Sequence, residues 1–332
     1  MVSDLFFPDF LLHLQRISPT SLFMEYHTYE QGGTYINPLT DAGFKILFAR
    51  ESSQDILIGF LNAVLDRDNV DPITEIHYLD KEKLKEQPGE RSVIYDIHCK
   101  TKCGKRFIVE MQNRSQSYFI DRTIFYVARA ITEQGRSRDW EYSFMPVYGI
   151  FISDFVILKG DDRVRIDAEI CDMDSGKQFS DKVRLVYIQL PNFRVSSPEK
   201  CGDYFERWIY LLKNMNIMET MPFVEKIFKR VEQVARVENL SPDERWRYER
   251  DLKFYRDYRN QMSFAKKEAR EEGLAEGRAE GRAEGRAESL WKVARNMLKE
   301  GLGLQTISTV TGFSIDELKD NICQGPDVAP IG

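Results

Sequence analysis

Apolar side chains recur at helical spacing soon after residue 35, and this periodicity predicts two consecutive helices. The first begins near Ala42, where Thr40 or Asp41 can cap its free amide groups. The residues that define the apolar faces of the two helices are Phe44, Leu47, Phe48, Ile56, Phe60, Ala63 and Val64. Residues 1–33, which end in a Gly-Gly break, precede them as an N-terminal extension.

A change from helical to alternating periodicity then predicts a β-hairpin. Residues 92–100 and 106–112 alternate, and a Gly-containing turn at 102–105 joins them. One face of the first strand is predicted to carry Val93, Tyr95, Ile97 and Cys99, and the other Ser92, Ile94, Asp96 and His98. Residues 73–79 predict one further strand.

The remaining periodicities complete an α/β pattern. Helical spacing over 117–132 predicts a helix between the hairpin and two short apolar strands, at 147–151 and 184–189. A hairpin followed by a crossover helix and further strands is typical of a mixed sheet flanked by helices. After Pro198 the chain becomes helical and charged, so the fold class is α/β with a helical C-terminal extension.

Composition shifts divide the chain into five segments. One of them repeats the tetrad Gly-Arg-Ala-Glu, and each glycine weakens an isolated helix by roughly 1 kcal/mol. We interpret this repeat as a spacer, or as a helix held by a partner, rather than a self-standing rod. The segments are the N-terminal extension at 1–33, the α/β core at 34–200, a helical region at 201–272, the repeat spacer at 273–288 and a small helical module at 289–325.

Charge and cysteine content narrow the class of protein. The 332 residues hold 47 Lys and Arg against 53 Asp and Glu, a formal net charge of -6. This balance counts against an extensive DNA-coating surface but allows a local basic groove. The five cysteines are scattered and odd in number, which favours a reduced, cytoplasmic protein. Since no apolar run approaches the ~20 residues of a transmembrane helix, no membrane partner is expected.

Two acidic residues of the predicted hairpin have the arrangement of a metal site. Asp96 points away from Ile97, and Glu110 shares its face with Ile108 and Gln112. Carboxylates on neighbouring strands in apolar surroundings are costly unless a cation lies between them, and oxygen ligands of this kind suit Mg²⁺. Two edge-strand carboxylates in solvent would give the same pattern, so the residues alone leave that alternative open.

Four sequence motifs resemble the bacterial Rpn family of recombination-promoting nucleases, or PD-(D/E)XK nuclease family transposases. They are INPLTDAGFKILF at 36–48, RSVIYDIHCKTKCGKRFIVEMQ at 91–112, SYFIDRTIFYVARAITEQ at 117–134 and VYGIFISDF at 147–155. The spacer and the small terminal helical module are also similar to the ends of these proteins, so the resemblance covers residues 35–325. It implies a restriction-endonuclease-like PD-(D/E)XK core and a Mg²⁺-dependent DNA endonuclease linked to recombination or transposition.

The resemblance also assigns roles to individual residues. Asp96 and Glu110 would hold Mg²⁺, or Mn²⁺ in its place, with the Met111 carbonyl as a third ligand. Gln112 would stand where many relatives have lysine; its amide can orient a water molecule but cannot carry charge, so slow cutting is expected. Asp41 would be an additional acid from the N-terminal region, and an N-cap role explains the same residue equally well.

Basic residues near the acidic pair are candidates for phosphate contacts, which add affinity without reading sequence. They are Lys100, Lys102, Lys105 and Arg106 around the hairpin turn, next to the proposed site, together with Lys45 and, on the following helix, Arg122. For the turn cluster, an ordinary solvated turn is the alternative.

Residues 305–318 have the pattern of a helix–turn–helix with its turn at 312–314. Reading of base edges needs basic or amide side chains, whereas the second helix offers Asp316, Glu317 and Asp320. Self-association or packing on the long helix is therefore favoured over direct DNA reading, and a homo-oligomer through the C-terminal helical region joins DNA as an expected partner. The alternative to an active endonuclease is a catalytically silent DNA-binding or oligomeric scaffold protein that retains the nuclease fold.

Overall fold

The computed structural model describes residues 33–65, 72–79, 94–135 and 141–322. Most of the predicted N-terminal extension, and the start of the predicted first hairpin strand, lie outside these residues. The strands are β1 (Ile76–Tyr78), β2 (Ile97–Thr101), β3 (Arg106–Gln112), β4 (Val147–Ser153), β5 (Arg165–Cys171) and β6 (Gln178–Gln189). The helices are α1 (Asp41–Phe48), α2 (Gln54–Leu65), α3 (Phe119–Thr132), α4 (Tyr204–Asn214), α5 (Lys226–Ala235), α6 (Pro242–Lys299), α7 (Leu304–Thr311) and α8 (Ile315–Ile322).

The six strands form one mixed sheet in the order β1-β2-β3-β4-β6-β5. The pairs β1/β2, β2/β3 and β5/β6 are antiparallel, whereas β3/β4 and β4/β6 are parallel. The parallel step from β3 to β4 is made by α3, which is the predicted crossover helix. The predicted fold class, a mixed sheet flanked by helices with a helical C-terminal extension, is confirmed.

The sheet is covered on both faces, and alternate residues of β3 contribute to different hydrophobic clusters. Val109 packs on the face covered by α1, α2, α4 and α5. At the centre of this cluster the rings of Phe48, Phe60 and Trp208 lie 5.2–6.0 Å apart between centroids. Ile108 packs on the other face, beneath α3. The predicted alternation along β3 is thus confirmed, and Glu110 belongs to the α3 face.

Close backbone approach fixes the start of α1. The side chain of Thr40 accepts a hydrogen bond from the Gly43 amide at 3.0 Å and also donates to the Asn37 carbonyl at 2.8 Å. Thr40 is therefore the N-cap, and Asp41 is the first helical residue. A Cβ atom at Gly43 would lie 2.1 Å from the Asn37 carbonyl oxygen, so this turn requires glycine.

The crossover helix α3 is amphipathic in the way that its spacing predicts. Its buried residues are Phe119, Thr123, Val127 and Ala130. The hydroxyl groups of Thr123 and Tyr187 lie 2.7 Å apart, which anchors the helix to β6. Beneath it, a Cβ atom at Gly149 would lie 3.0 Å from Val127, so glycine lets the helix approach β4 closely.

Two parts of the sheet differ from the sequence prediction. Asp96 forms a bend, and β2 begins only at Ile97. Because of this bend, Tyr95 packs beneath α3 while Ile97 packs on the opposite face, so the prediction that they share a face is wrong. Strand β5 and the first half of β6 were not predicted, although Ile166 and Ala168 of β5 follow the alternating pattern.

The chain divides into two compact units, Met1–Arg256 and Asp257–Gly332. In the first unit, α4, α5 and the start of α6 share the core with α1 and α2. In the second unit, the Gly-Arg-Ala-Glu repeat is helical throughout and its side chains are exposed. The end of α6 packs with α7 and α8 around Ala294, Ile307 and Leu318. None of the helices that the structure describes has the length and hydropathy needed to cross a bilayer.

Candidate active site

Asp96, in the bend that precedes β2, faces Glu110 on β3, and the two residues are joined by two hydrogen bonds. The pairing of Ile97 with Val109 puts the two acids opposite each other. The Asp96 amide donates to Glu110 Oε1 at 2.9 Å, and the Met111 amide donates to Asp96 Oδ2 at 3.0 Å. Each carboxylate is thus anchored to the backbone of the opposite strand, so formation of the hairpin brings the two acids together.

Glu110 is one of the few buried charged residues in the described part of the chain, with only 3% of its surface exposed. Burial raises the pKa of Glu110 well above its usual range, and the neighbouring charge of Asp96 raises it further. The Asp96 amide and the positive charges of Arg122 and Lys45 act on this pKa in the opposite direction. A buried acid whose ionisation is opposed by a second acid is a favourable position for a cation, which would neutralise both.

The chemistry of these donors can be compared with the needs of a metal ion. Among the residues with described coordinates, no group of three or more His, Cys, Asp or Glu side chains is arranged to hold a metal. Two adjacent carboxylates still fit Mg²⁺, because this ion is usually bound by one or two carboxylates, with water and substrate phosphate oxygens completing its shell. They do not fit a closed structural zinc site, which takes four Cys or His ligands.

Gln112 lies at the end of β3, two residues from Glu110 and therefore on the same face of the sheet. Its main-chain carbonyl accepts a hydrogen bond from the Asp154 amide at 2.9 Å, which holds this strand end against β4. Next to it, the Asn113 side chain donates to the Leu39 carbonyl at 2.8 Å. The strand end that carries the candidate site is thereby tied to the segment preceding α1.

Helix α1 carries Asp41 and Lys45, which form an ion pair with 2.6 Å between Nζ and Oδ1. The Asp41 side chain is 58% exposed, so this candidate acid lies at the surface and is not a member of the buried pair. Helix α6 holds the start of α1 in place. The Tyr248 hydroxyl accepts from the Asn37 amide at 2.9 Å, and Asp251 accepts from the Ala42 amide at 3.1 Å.

On the side of α3, Arg122 is held by neighbouring polar groups. Its Nε donates to the Tyr126 hydroxyl at 2.9 Å, and its Nη1 donates to Gln116 Oε1 at 2.6 Å. The Tyr126 carbonyl accepts a hydrogen bond from the Tyr95 hydroxyl at 3.0 Å. Sequence reasoning named Arg122 but missed both tyrosines; the i,i+4 spacing of Arg122 and Tyr126 was the available signal.

The basic hairpin turn lies at the other end of the two strands. Lys100 is four residues from Asp96, about 13 Å along an extended strand, and Lys102 and Lys105 lie beyond it in the turn. Arg106 is 3.3 Å from Glu133 at the end of α3 and also donates to the Ala130 carbonyl. The structure thus places the turn away from the acid pair rather than next to it, and brings Lys45 and Arg122 close to Glu110 instead.

Comparison with known protein families decides what kind of protein carries this site. The family model for PD-(D/E)XK nuclease family transposases matches residues 38–265. The chain belongs to this family. A second model, for the C-terminal HTH domain of the Rpn/YhgA-like nuclease family, matches residues 287–321. No curated protein and no solved structure matches the chain.

The two matches confirm the resemblance drawn from the sequence motifs. The PD-(D/E)XK nuclease match runs from α1 into α6 and includes both members of the acid pair. The HTH match covers the end of α6, α7 and most of α8. A helix–turn–helix domain indicates DNA binding. The sequence analysis had disfavoured DNA reading by this segment because of the acidic side chains of α8. The comparisons leave the roles of individual residues as predictions.

Proposed function

We propose that this PD-(D/E)XK nuclease family protein is a Mg²⁺-dependent DNA endonuclease that hydrolyses phosphodiester bonds in recombination or transposition. One observation carries the proposal: Asp96 and Glu110 are anchored together by reciprocal hydrogen bonds, and Glu110 is buried. Burying an acid beside another acid costs free energy, and such pairs are typical of sites whose function uses both acids. The four cysteines that the structure describes are free, and together with a DNA substrate this supports assigning the protein to the cytoplasm.

Asp96 and Glu110 would hold the metal, Mg²⁺ or Mn²⁺, with the Met111 carbonyl as a third ligand. When bound, a divalent cation lowers the pKa of water and stabilises charge that develops on a phosphate. Gln112, on the same face as Glu110, would orient the attacking water through its amide, which cannot take up a proton. The chain therefore supplies no strong general base at this position, and slow turnover is expected.

Contacts with DNA are assigned to two regions. Lys45 and Arg122, whose charges act on Glu110, would contact the phosphate nearest the acids. A second group, Lys100, Lys102, Lys105 and Arg106 around the hairpin turn, would contact the backbone farther along, although Arg106 is also paired with Glu133. Such contacts add affinity that falls with salt and carry no sequence information. The HTH domain is the further DNA-binding element.

Cleavage of supercoiled plasmid by the purified full chain tests this proposal. We expect nicking with Mg²⁺, none with EDTA, and none with Glu110→Gln or Asp96→Asn, which preserve shape while removing a charge. Glu169→Gln is the matched control, because Glu169 is an exposed acid on the distant edge strand β5 and should leave nicking unchanged. Equal cutting by wild type and both site variants would identify a contaminant and refute the site assignment.

The alternative is a catalytically silent protein that binds DNA or acts as an oligomeric scaffold. The HTH match favours DNA binding independently of cleavage. A gel shift without metal-dependent nicking would support this alternative over the endonuclease. Light scattering of the full chain and of residues 1–270 tests the homo-oligomer, since an unchanged state of association on removal of the C-terminal region would exclude it as the oligomerising element.

A further inference from the structure

Neither Asp96 nor Glu110 has a positively charged side chain within two residues of it along the chain. Cleavage of a phosphodiester develops negative charge on the phosphate, and Asp96 and Glu110 bring two carboxylates to the same place. On this face of β3 the polar residue next to Glu110 is Gln112, which is neutral at every pH. Arg106 shares the face but lies four residues from Glu110 and is paired with Glu133. A positive side chain that approaches the phosphate must therefore come from another element.

Two cations from neighbouring helices act on Glu110, and they differ in their partners. Lys45 of α1 forms an ion pair with Asp41, so much of its charge is already compensated. Arg122 of α3 donates its two described side-chain hydrogen bonds to neutral groups, the Tyr126 hydroxyl and the Gln116 amide oxygen. The guanidinium charge of Arg122 is therefore more available to a phosphate than the ammonium charge of Lys45.

Tyr126 fixes the position of Arg122 relative to the acids. The Arg122 guanidinium carbon lies 5.0 Å from the centre of the Tyr126 ring, and Nε is bonded to the hydroxyl of the same residue. The main-chain carbonyl of Tyr126 accepts from the hydroxyl of Tyr95, which is fully buried and directly precedes Asp96. A continuous set of contacts thus connects the cation to the acid on the neighbouring strand.

We infer that Arg122 is the catalytic cation of this site, placed to bind the phosphate that is cut, and that Tyr126 is its positioning residue. The inference rests on the proposed endonuclease function. A planar guanidinium suits this role because it donates parallel hydrogen bonds to phosphate oxygens and keeps its proton. With Nε and Nη1 engaged by the protein, Arg122 is held in one orientation before DNA binds, so it differs from a contact that only adds affinity.

Single-turnover cleavage separates catalysis from binding. Cleavage rates are measured with the full-length protein in saturating excess over plasmid, for wild type, Arg122→Gln, Arg122→Lys and Tyr126→Phe. DNA affinity is measured separately, with Ca²⁺ in place of Mg²⁺. We expect Arg122→Gln to lower the saturated rate about 100-fold while affinity falls less than about fivefold. Arg122→Lys should recover about tenfold of the loss, and Tyr126→Phe should lose about tenfold in rate at unchanged affinity.

The matched control is Lys177→Gln, which removes one exposed positive charge from the turn between β5 and β6 and should leave the saturated rate unchanged.

The outcomes distinguish the inference from the proposed function. If wild type cuts and Arg122→Gln cuts as fast at saturation, Arg122 is only a DNA contact; the inference is then wrong and the endonuclease function stands. If wild type never cuts, the proposed function is wrong and the inference with it. Should Arg122→Gln fail to fold by circular dichroism, Arg122→Lys and Tyr126→Phe provide the same comparison.

Discussion

The amide of Asp96 donates a 2.9 Å hydrogen bond to Glu110 Oε1, so the bend that carries the first acid also holds the carboxylate of the second in the protein interior. One hydrogen bond offsets only a small part of the free-energy cost of burying a carboxylate that also faces another acid. The pair therefore lowers the stability of the metal-free protein at pH values where both acids are charged. This cost makes the site detectable by stability measurements as well as by activity.

Replacement of Glu110 by glutamine should stabilise the metal-free protein at alkaline pH. The pKa of Glu110 is raised in the folded state, so its contribution is most favourable below the unfolded pKa and is lost as pH rises through the folded pKa. Glutamine has no charge to bury and can still accept from the Asp96 amide. We expect Glu110→Gln to be about 1–3 kcal/mol more stable than wild type at pH 8, with a smaller difference at pH 5, in urea unfolding.

Added Mg²⁺ should make wild type more stable than Glu110→Gln at pH 8, because an ion that binds only the folded state stabilises it by mass action. Wild type should gain stability with Mg²⁺ at pH 8, and Glu110→Gln should gain little. The exposed-acid variant Glu169→Gln should follow wild type in both conditions. An identical response of wild type and Glu110→Gln to Mg²⁺ would argue against Glu110 as a metal ligand.

His98 should make the protein sensitive to mild acid. It is 2% exposed, its ring centre is 4.8 Å from that of Tyr95, and burial lowers the pKa of His98 to about 4, with the charge of Arg106 acting in the same direction. The folded state thus disfavours the protonated form. Stability is complete above the unfolded pKa and falls as pH decreases from about 6.5 towards 4.

Replacement of His98 by leucine, which has a similar volume, should remove this loss. When the pH is lowered from 7.5 to 5, the unfolding free energy of wild type should fall by about 1–2 kcal/mol more than that of His98→Leu. His77→Leu is the matched control, since His77 is on the neighbouring strand but its side chain is 55% exposed. If the pH profiles of wild type and His98→Leu are parallel, His98 is not the group that titrates.

Much of the fold follows from periodicity, and the failures have local causes. Alternation placed Ile108 and Val109 on opposite faces of β3, and helical spacing gave the buried stripe of α3. The side of the sheet on which Tyr95 lies could not be predicted, because the bend at Asp96 interrupts the alternation. Strand β5 has an alternating pattern, but its exposed, charged edge resembles a loop in composition.

The site was predictable only in part. The sequence pattern and the family motifs identified Asp96 and Glu110, whose proximity follows from hairpin register. The ion pair of Arg106 with Glu133 and the contacts of Arg122 with Tyr126 depend on how α3 lies over the sheet. Periodicity does not specify such contacts between elements, so the cations near the acids could not be told apart from those at the turn.

Gly43 should be intolerant of alanine although it lies in a helix. A Cβ atom there would be 2.1 Å from the Asn37 carbonyl oxygen and 2.7 Å from Thr40 Oγ1, and a main-chain oxygen cannot rotate away. We expect Gly43→Ala to cost about 1–3 kcal/mol in thermal unfolding and to weaken cleavage through displacement of α1. Gly277→Ala is the matched control: no atom lies within 4 Å of its Cβ position, so the better helix former should preserve or raise stability. Equal stability of the two variants would contradict the tight turn before α1.

Phe313 should hold the HTH domain together without supporting the nuclease unit. Its ring stacks on that of Trp291 with 3.9 Å between centroids, and the surrounding cluster lies entirely within the second compact unit. Phe313 is half-buried, so its truncation should cost less than the ~3–5 kcal/mol of a fully buried aromatic side chain. Such a loss is still a large share of the stability of a domain of this size. In calorimetry, Phe313→Ala should abolish or lower one transition and leave the other in place, whereas Val310→Ala, at a 59% exposed position, should change neither.

DNA affinity should fall in Phe313→Ala while the saturated cleavage rate is retained, because the acid pair belongs to the first unit. A single transition that shifts as a whole would mean that the two units unfold together.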